Sequence, residues 1–271
     1  MVQEFIDYQR DVKGLSACTL ENYRKDLQAW TLYAGKKGLT WRTTSKQDVD
    51  CWTAYMKDFG YSASTIKRRV EVLRLIYTWA EHEGMLTENP ARYAQTPKAE
   101  KKLPKVVDAE KLRTYIDSEP STGEGVVVRN LTALLLETGV RIGEALSITT
   151  DDIDRERRAI IIHGKGSKER EVYYGDRFAK VLDKWYQSRT GVLFPGEAIE
   201  YRYMMYRQMG HIFYRIHPHL IRHTFATEML NAGMDLKTLA SLLGHEHVQT
   251  TEIYAHVKSE RTREIYNGTI H

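Results

Sequence analysis

Two segments in the last third of the chain concentrate histidine, arginine and tyrosine. HPHLIRHTFATEML covers residues 217–230, and LLGHEHVQTTEIYAHV covers residues 242–257. If a helix begins at the proline of the first segment, His219, Arg222 and His223 stand three and four positions apart and share one face. Side chains placed in this way can converge on a single ligand.

The residue types on this face favour a phosphate over a metal ion. His219 and His223 have the spacing of zinc-binding histidines, but the residues between them lack the glutamate of H-E-x-x-H and place a guanidinium beside the metal. Arginine forms bidentate hydrogen bonds with phosphate, and histidine donates a hydrogen bond or transfers a proton. A structural cluster that caps a core helix is the alternative that these residues alone leave open.

The second segment places Tyr254 nine residues after His245, in a stretch predicted to be a short helix. A tyrosine at this position is either a packing residue or a nucleophile. Tyr214 and Tyr266 are weaker candidates for a nucleophile because neither follows LLGH.

Four segments in this order and spacing resemble the signatures of a known family. TGVRIGEAL, HGKGSKER, HPHLIRHTFAT and LLGHEHVQTTEIYAHV look like those of tyrosine site-specific recombinases, the lambda-integrase family, and are most similar to its short Xer-type members. The resemblance runs from about Leu103 to the end. It implies a mainly α protein with a small antiparallel β-sheet, in which an N-terminal helical core-binding (SAM-like) domain precedes a C-terminal mixed α/β catalytic domain.

The resemblance also implies an active site and a reaction without a metal or other cofactor. Arginines and a histidine would stabilise the charge that develops on the phosphate, and a tyrosine would store the bond energy as a 3′-phosphotyrosyl ester. Strand exchange would then pass through a Holliday junction. The implied site residues are Arg141, Lys165, His219, Arg222, His245 and Tyr254.

The reaction needs two proton transfers, because a phenol with a pKa of about 10 must lose its proton and the departing 5′ oxygen must gain one. His219 is the candidate base and Lys165 the candidate acid, with Lys168 as the alternative acid. Glu144 is predicted to orient an active-site arginine, unless it forms only a surface salt bridge on its helix. His223 is predicted to support the helix through a buried hydrogen bond.

The chain divides into three parts by pattern. Residues 1–95 repeat a 3.6-residue apolar period four times, which is typical of a helical bundle. Residues 96–107 are predicted to be a basic, proline-containing linker. Residues 108–271 are predicted to be the catalytic domain, with a β-hairpin at 158–174, a helix capped by Asp108 and a left-handed helix end at Gly139.

The charge of the chain permits a polyanionic partner without requiring one. There are 40 Lys and Arg against 36 Asp and Glu, so the position of the basic residues matters more than their total. An ordinary solvated face is the alternative for each basic group. The DNA-binding candidates are Lys67, Arg68, Arg69, Lys101, Lys102 and Lys168.

The cysteines and the N-terminal residues bear on the cellular location of the protein. Cys18 and Cys51 are expected to be reduced core thiols. The first residues lack an apolar h-region, and no apolar run approaches the roughly 18 residues of a membrane span, so a cytoplasmic protein without a membrane partner is expected.

The resemblance implies partners as well. These are double-stranded DNA with paired core sites, and a homotetramer or a heterotetramer with a second recombinase, with a DNA translocase as a candidate helper. The C-terminal tail ERTREIYNGTIH would be an exchange helix that docks on a neighbouring protomer, or else an intramolecular cap.

Several biological roles fit the resemblance. About 95 residues precede the linker, too few for an additional arm-binding domain, which favours Xer-like resolution of chromosome or plasmid dimers. A compact integrase of a mobile element or virus is the alternative. A catalytically idle DNA-binding relative and a type IB topoisomerase-like enzyme are the competing classes. The six implied site residues argue against the first, and the Xer-like tail and two-domain layout argue against the second.

Overall fold

The computed structural model describes residues 1–98, 106–120, 122–164, 168–185 and 191–244. The chain divides into two compact units, Met1–Lys101 and Lys102–His271. Most of the predicted linker, including Lys101 and Lys102, lies outside the described residues. The linker and the DNA-binding role of these two lysines therefore stay predictions.

The described part of the first unit is a bundle of the four predicted helices. Three of them begin at a serine whose hydroxyl accepts a hydrogen bond from a backbone amide of the first turn, namely Ser16, Ser45 and Ser62. Such caps satisfy amide groups that have no partner within the helix. The helices are α1 Val2–Asp11, α2 Ala17–Lys36, α3 Lys46–Asp58 and α4 Ala63–His82.

Aromatic and branched side chains fill the core of this bundle. Trp30 of α2 and Trp52 of α3 are both buried and meet edge to face, with ring centroids 5.1 Å apart. In α4 the predicted 3.6-residue apolar period is confirmed, because the apolar residues that recur at this spacing are buried. They are Ile66, Val70, Leu73, Ile76 and Ala80.

The prediction that the two cysteines are core thiols is wrong. Cys18 and Cys51 are free and exposed. In α3 the buried positions include Val49, Trp52 and Met56, which recur at helical spacing, and Cys51 falls on another face. Cys18 lies in the first turn of α2, before the first buried residue of that helix, Leu20.

The second unit contains helices and a three-stranded antiparallel sheet in the order β1-β2-β3. The predicted helix cap at Asp108 is confirmed, and so is the left-handed helix end at Gly139. The described elements are α5 Ala109–Asp117, α6 Gly123–Thr138, α7 Ile142–Ala145, a 3-10 helix Thr150–Asp152, β1 Ile153–Asp154, β2 Ala159–His163, β3 Glu169–Tyr173, α8 Asp176–Trp185, α9 Ala198–Met209, α10 Pro218–Asn231 and α11 Leu236–Leu243.

Helix α6 is the centre of this unit. Ten of its 16 residues are buried, and it packs against five helices, α5, α7, α8, α9 and α10, and against β3. A helix of this kind is stable only when neighbours cover every face. Within the described ranges, neither α6 nor any other helix is both long enough and apolar enough to cross a membrane.

The predicted hairpin is confirmed as the β2–β3 pair, in which Ile160 faces Val172 and Ile162 faces Arg170. A hydrogen bond of 2.7 Å from the amide of Gly164 to the carbonyl of Lys168 closes its loop. The tip, residues 165–167, lies outside the described residues. Strand β1 was not predicted, because a strand of two residues carries no periodic signal.

At the end of α6, the effects of close packing and of backbone strain on stability can be tested separately. Gly139 has φ +63°, and a Cβ there would lie 2.2 Å from a ring carbon of Phe225 on α10. We expect Gly139→Ala to lower the free energy of unfolding by about 2–4 kcal/mol, from left-handed strain and overpacking together. Urea denaturation measures the change.

Gly84→Ala is the control for this substitution. Gly84 follows α4 with φ +67°, close to that of Gly139, but a Cβ at this residue would meet nothing within 4 Å, so only left-handed strain of about 1–2 kcal/mol is expected. Equal losses in the two variants would contradict the contribution of the Phe225 contact.

Candidate active site

Three arginines from three separate elements donate hydrogen bonds to the last carbonyl groups of α11. The arginine cluster consists of Arg141 before α7, Arg170 on β3 and Arg222 on α10. The final carbonyls of a helix have no partner within it and form the negative end of the helix dipole. The end of α11 is therefore a natural acceptor for positive side chains.

The distances describe close contacts. Nη2 of Arg222 lies 2.7 Å from the carbonyl oxygen of Leu243, and Nε of Arg170 lies 2.8 Å from that of Leu242. Nη1 of Arg141 makes longer contacts, 3.3 Å and 3.4 Å, with the carbonyl oxygens of Leu243 and Gly244. The cluster is thus attached to the residues immediately before the segment that contains His245 and Tyr254.

Glu144 lies at the centre of the arginine cluster. Its carboxylate accepts hydrogen bonds from the backbone amide of Arg141 (2.8 Å) and from Nη1 of the same residue (2.9 Å). Arg170 donates two more, of 3.0 and 2.7 Å, and Nη1 of Arg222 lies 3.9 Å away. The Glu144 side chain is only 12% exposed, so these contacts are not those of a surface salt bridge.

The charge on Glu144 is stabilised by its neighbours. Burial alone would raise the pKa of this carboxyl. The hydrogen bonds from Arg170 and from the amide of Arg141, together with both guanidinium charges, outweigh burial, and the pKa is lowered from its ordinary value. Glu144 therefore remains an anion and compensates part of the positive charge of the cluster.

The three arginines differ in exposure. The side chain of Arg141 is 40% exposed, whereas those of Arg170 and Arg222 are 14% and 7% exposed. Arg222 also donates a 2.7 Å hydrogen bond to the carbonyl of Gly139. Arg141 is thus the most solvent-accessible member of the cluster, and Arg222 is enclosed by protein.

Helix α10 carries the histidines, as predicted from its proline. Pro218 occupies the first turn, and the Nδ1 atom of His217 accepts a hydrogen bond from the amide of Leu220. His219 is exposed and His223 is partly buried. The His217 and His219 rings meet edge to face with centroids 6.4 Å apart.

His217, which precedes α10, and His219 and His223 within it all have lowered pKa values. Partial desolvation of the ring is the first cause for each. For His219 the positive charges of Arg202, His217, Arg222 and Arg141 add to it. A lowered pKa means that His219 is neutral at pH 7, with a ring nitrogen able to accept a proton.

Other predicted site residues lie outside the described residues, namely Lys165, His245 and Tyr254. Lys168 is described and exposed at the base of the hairpin tip. Among the alternative nucleophiles, Tyr214 is 80% exposed, and Tyr266 lies outside the described part of the chain.

The DNA-binding candidates of α4 have an acidic neighbour that was not predicted. Asp26 of α2 is 2% exposed and forms ion pairs with Arg68 and, at 3.7 Å, with Arg69. Burial raises the pKa of Asp26 in spite of both arginines. Lys67 is exposed, and the DNA-binding role of all three basic residues stays a prediction.

Arg170 is the residue of the site that sequence reasoning missed. It belongs to HGKGSKER, and it lies two positions before the buried Val172 on β3. Alternate residues of a strand share one face. An arginine on the inward face of a strand is a signal for a buried ionic partner, but nothing in the sequence indicates which partner.

Two family models match this chain. The model described as the phage integrase family matches residues 105–261, and the model described as the phage integrase N-terminal SAM-like domain matches residues 2–84. The structure agrees with these two matches: a helical bundle is followed by a mixed α/β domain whose site contains arginines and histidines. The chain belongs to the phage integrase family and is a tyrosine recombinase, an enzyme that breaks and rejoins DNA strands.

The chain is similar in sequence to curated tyrosine recombinases. Tyrosine recombinase XerC of Bacillus subtilis (strain 168) is 30% identical over 286 residues, which is 98% of this chain and 94% of the relative. XerC of Xylella fastidiosa (strain M23) is 28% identical over 281 residues, 99% of this chain and 96% of the relative.

Solved structures share the fold. The XerH site-specific recombinase bound to palindromic difH substrate has a TM-score of 0.77 at 19% identity, over 98% of this chain and 84% of that one. The Tn1549 transposon integrase in complex with transposon right end DNA has a TM-score of 0.75 at 20% identity, over 98% of this chain and 99% of that one.

The central position of Glu144 leads to a stability prediction. Glu144→Gln removes the anion that partners Arg141 and Arg170, and we expect a loss of about 2–3 kcal/mol in the free energy of unfolding. Glu110→Gln is the control, because Glu110 is 80% exposed in its pair with Arg113 and should cost at most about 0.5 kcal/mol. Equal values in urea denaturation would contradict the role of Glu144.

Histidine titration leads to a second prediction. The pKa values of His219 and His223 lie below 6.5, and that of His163 lies above it because of its hydrogen bond to Asp152. The stability from neutral His219 and His223 is present above pH 6.5 and is lost as pH falls through their folded pKa values. The contribution of His163 has the opposite sign: it is present below pH 6.5 and is lost as pH rises through its folded pKa. NMR titration of the ring protons checks this order, and the reverse order would contradict it.

Proposed function

We propose that this chain is a site-specific DNA recombinase that cleaves each strand by attack of Tyr254 on the scissile phosphate. The observation that supports this most directly is the attachment of Arg141 and Arg222 to the end of α11. The residues that follow this end include His245 and Tyr254. The proposed nucleophile is thus connected to the proposed phosphate-binding arginines by a short stretch of chain.

The arginines would stabilise the transition state electrostatically. A phosphodiester under attack gathers negative charge on its non-bridging oxygens, and positioned guanidinium groups act on that charge without reorganising. Arg141 has the exposure needed to reach a phosphate. Arg222 and His245 would complete the set of donors, with Arg222 bound in place by the carbonyls of Gly139 and Leu243.

The bonds exchange in one step. The Oη–phosphorus bond of Tyr254 forms as the bond from phosphorus to the 5′ oxygen breaks, and the product is a 3′-phosphotyrosyl ester with a free 5′ hydroxyl. Attack by the 5′ hydroxyl of another strand reverses the step and releases the tyrosine. Two rounds of exchange pass through a Holliday junction.

Two residues would transfer the protons. His219 is neutral at pH 7, because its pKa is lowered, and a neutral imidazole can accept the phenol proton as the attack proceeds. Lys165 would donate a proton to the departing 5′ oxygen from the hairpin tip. Glu144 would orient Arg141 through its hydrogen bonds to the guanidinium and the backbone amide of that residue, and His223 would support α10.

The proposal includes a DNA substrate and an oligomeric assembly, both taken by analogy from similar proteins. XerH, a structural neighbour, is described as bound to its difH substrate, and the curated relatives are XerC recombinases. By analogy this chain acts in the cytoplasm on double-stranded DNA with paired core sites, as a homotetramer or with a second recombinase, in Xer-like dimer resolution. A DNA translocase as helper, and the exchange of the C-terminal tail between protomers, belong to the same proposal.

The basic groups of the first unit supply a candidate DNA contact. Lys67 is exposed and Arg68 is 52% exposed at the start of α4. Asp26 neutralises part of the charge of Arg68 and Arg69, so Lys67 would contribute more of the attraction to phosphates. Lys101, Lys102 and Lys168 would add to it.

The experiment that tests the function is a suicide-substrate assay. Purified protein is incubated, without added metal, with nicked duplexes that carry candidate core sites. A covalent protein–DNA adduct is expected from the unchanged protein and none from Tyr254→Phe, because the variant lacks the nucleophilic oxygen. Denaturing electrophoresis measures the adduct.

Tyr214→Phe is the matched control, since Tyr214 is 80% exposed on the second unit and should leave adduct formation unchanged. An adduct formed by Tyr254→Phe would assign the nucleophile to another residue. DNA binding without an adduct on every site tested would contradict the enzymatic proposal and favour a DNA-binding role.

A further inference from the structure

Arg170 has no role in the chemistry proposed above, yet it is among the most connected side chains of the site. Only 14% of its side chain is exposed. All three nitrogens of its guanidinium donate hydrogen bonds, and they reach two different elements. A buried arginine is costly unless it is fully paired, so this arrangement calls for a structural or functional reason.

The contacts of Arg170 join the hairpin to the rest of the site. Its terminal nitrogens bind both oxygens of Glu144, at 3.0 and 2.7 Å, and so connect β3 to α7 and Arg141. Its Nε binds the carbonyl of Leu242, at 2.8 Å, and connects β3 to α11. One side chain therefore fixes three elements relative to one another.

Arg170 also lies at the base of the hairpin loop. It pairs with Ile162 in the ladder. The next pair is His163 with Glu169, and beyond it the 2.7 Å hydrogen bond from Gly164 to Lys168 closes the loop. The loop carries Lys165. Lys165 follows Gly164 directly in the chain, so a shift of the hairpin base would also move the point from which Lys165 extends.

The end of α11 leaves room for this guanidinium. A Cβ at Gly244 would lie 2.8 Å from Nη1 of Arg170 and 2.9 Å from its Cζ. Gly244 thus serves two purposes, since its φ of +63° also ends the helix in the left-handed conformation. The close approach shows that Arg170 is packed into the site, in addition to being paired there.

We infer that Arg170 is a positioning residue that fixes the base of the β2–β3 hairpin, so that the lysine at its tip protonates the departing 5′ oxygen. This inference rests on the proposed function, in which the hairpin supplies the acid. The fork of an arginine can bind a carboxylate and a backbone carbonyl at once, whereas a lysine ammonium is a point charge that cannot reproduce the geometry.

The reaction allows the acid to be tested separately from the other groups. In a duplex whose scissile bond has sulfur in place of the bridging 5′ oxygen, the leaving group is a thiolate. A thiol has a pKa of about 8.5, far below that of an alcohol, so its departure needs no proton. A defect in the delivery of that proton should disappear on this substrate, whereas a defect in charge stabilisation should remain.

Single-turnover cleavage of both substrates is compared for Arg170→Lys and the unchanged protein. On the ordinary phosphodiester we expect the variant to be slower by about 100-fold, the order of magnitude of a misplacement near 1 Å. On the sulfur substrate we expect its rate to return to within a few fold of the unchanged protein. Because a defect in folding slows both substrates equally, this pattern separates positioning from a structural role.

Arg157→Lys is the matched control. Arg157 also forms a two-fold pair with a glutamate of β3, Glu171, with both contacts at 3.0 Å, but its side chain is 61% exposed. It should cleave both substrates at unchanged rates. Arg141→Lys should remain slow on both, because that residue acts on the non-bridging oxygens.

The positioning role of Arg170 and the acid role of Lys165 can be contradicted separately. Equal slowing of Arg170→Lys on both substrates would overturn the inference and leave Arg170 as a support for Arg141 through Glu144. Lys165→Ala tests the acid itself: if it is not rescued by sulfur while Arg170→Lys is, the acid is another residue of the loop, Lys168, and the positioning role of Arg170 remains supported.

Discussion

The second unit depends on one electrostatic constraint, which is how to bring three guanidinium groups together at one helix end. Like charges at short range repel, and burial removes the water that would screen them. The structure balances the cluster with the carboxylate of Glu144 and with the terminal carbonyls of α11. Because all three arginines share these acceptors, the position of each depends on the others, and α7, β3, α10 and α11 are connected at a single point.

The apolar core supplies the frame on which this cluster is assembled. Helix α6 packs against most elements of the unit, and its left-handed end at Gly139 turns the chain directly into Arg141. The carbonyl of that glycine accepts a hydrogen bond from Arg222. The residue that ends the central helix therefore also takes part in the site, which links the stability of the core to the geometry of the phosphate-binding arginines.

This arrangement also has a consequence for catalysis. The residues that follow α11 include His245 and Tyr254, and the arginines that would bind the phosphate are attached to the end of that helix. Electrostatic stabilisation is effective when donors are positioned before the reaction begins. An enzyme that uses neither a metal nor ATP in its proposed chemistry relies on such preorganisation, and here it comes from helix ends, one carboxylate and close packing.

Much of the fold and part of the site were predictable from the sequence because the signals are local. The periodic helices, the serine and aspartate caps, the proline that starts α10 and the glycine that ends α6 act within a few residues. The sequence by itself also determined which chemical groups are available and in which segments. Only the tertiary structure decided which of them meet: Arg141 reaches a carbonyl 102 residues away and Arg170 one 72 residues away. The same holds for the Asp26 pairs and for the exposure of the cysteines, since helix packing and charge pairing depend on the whole unit and leave no periodic trace in the chain.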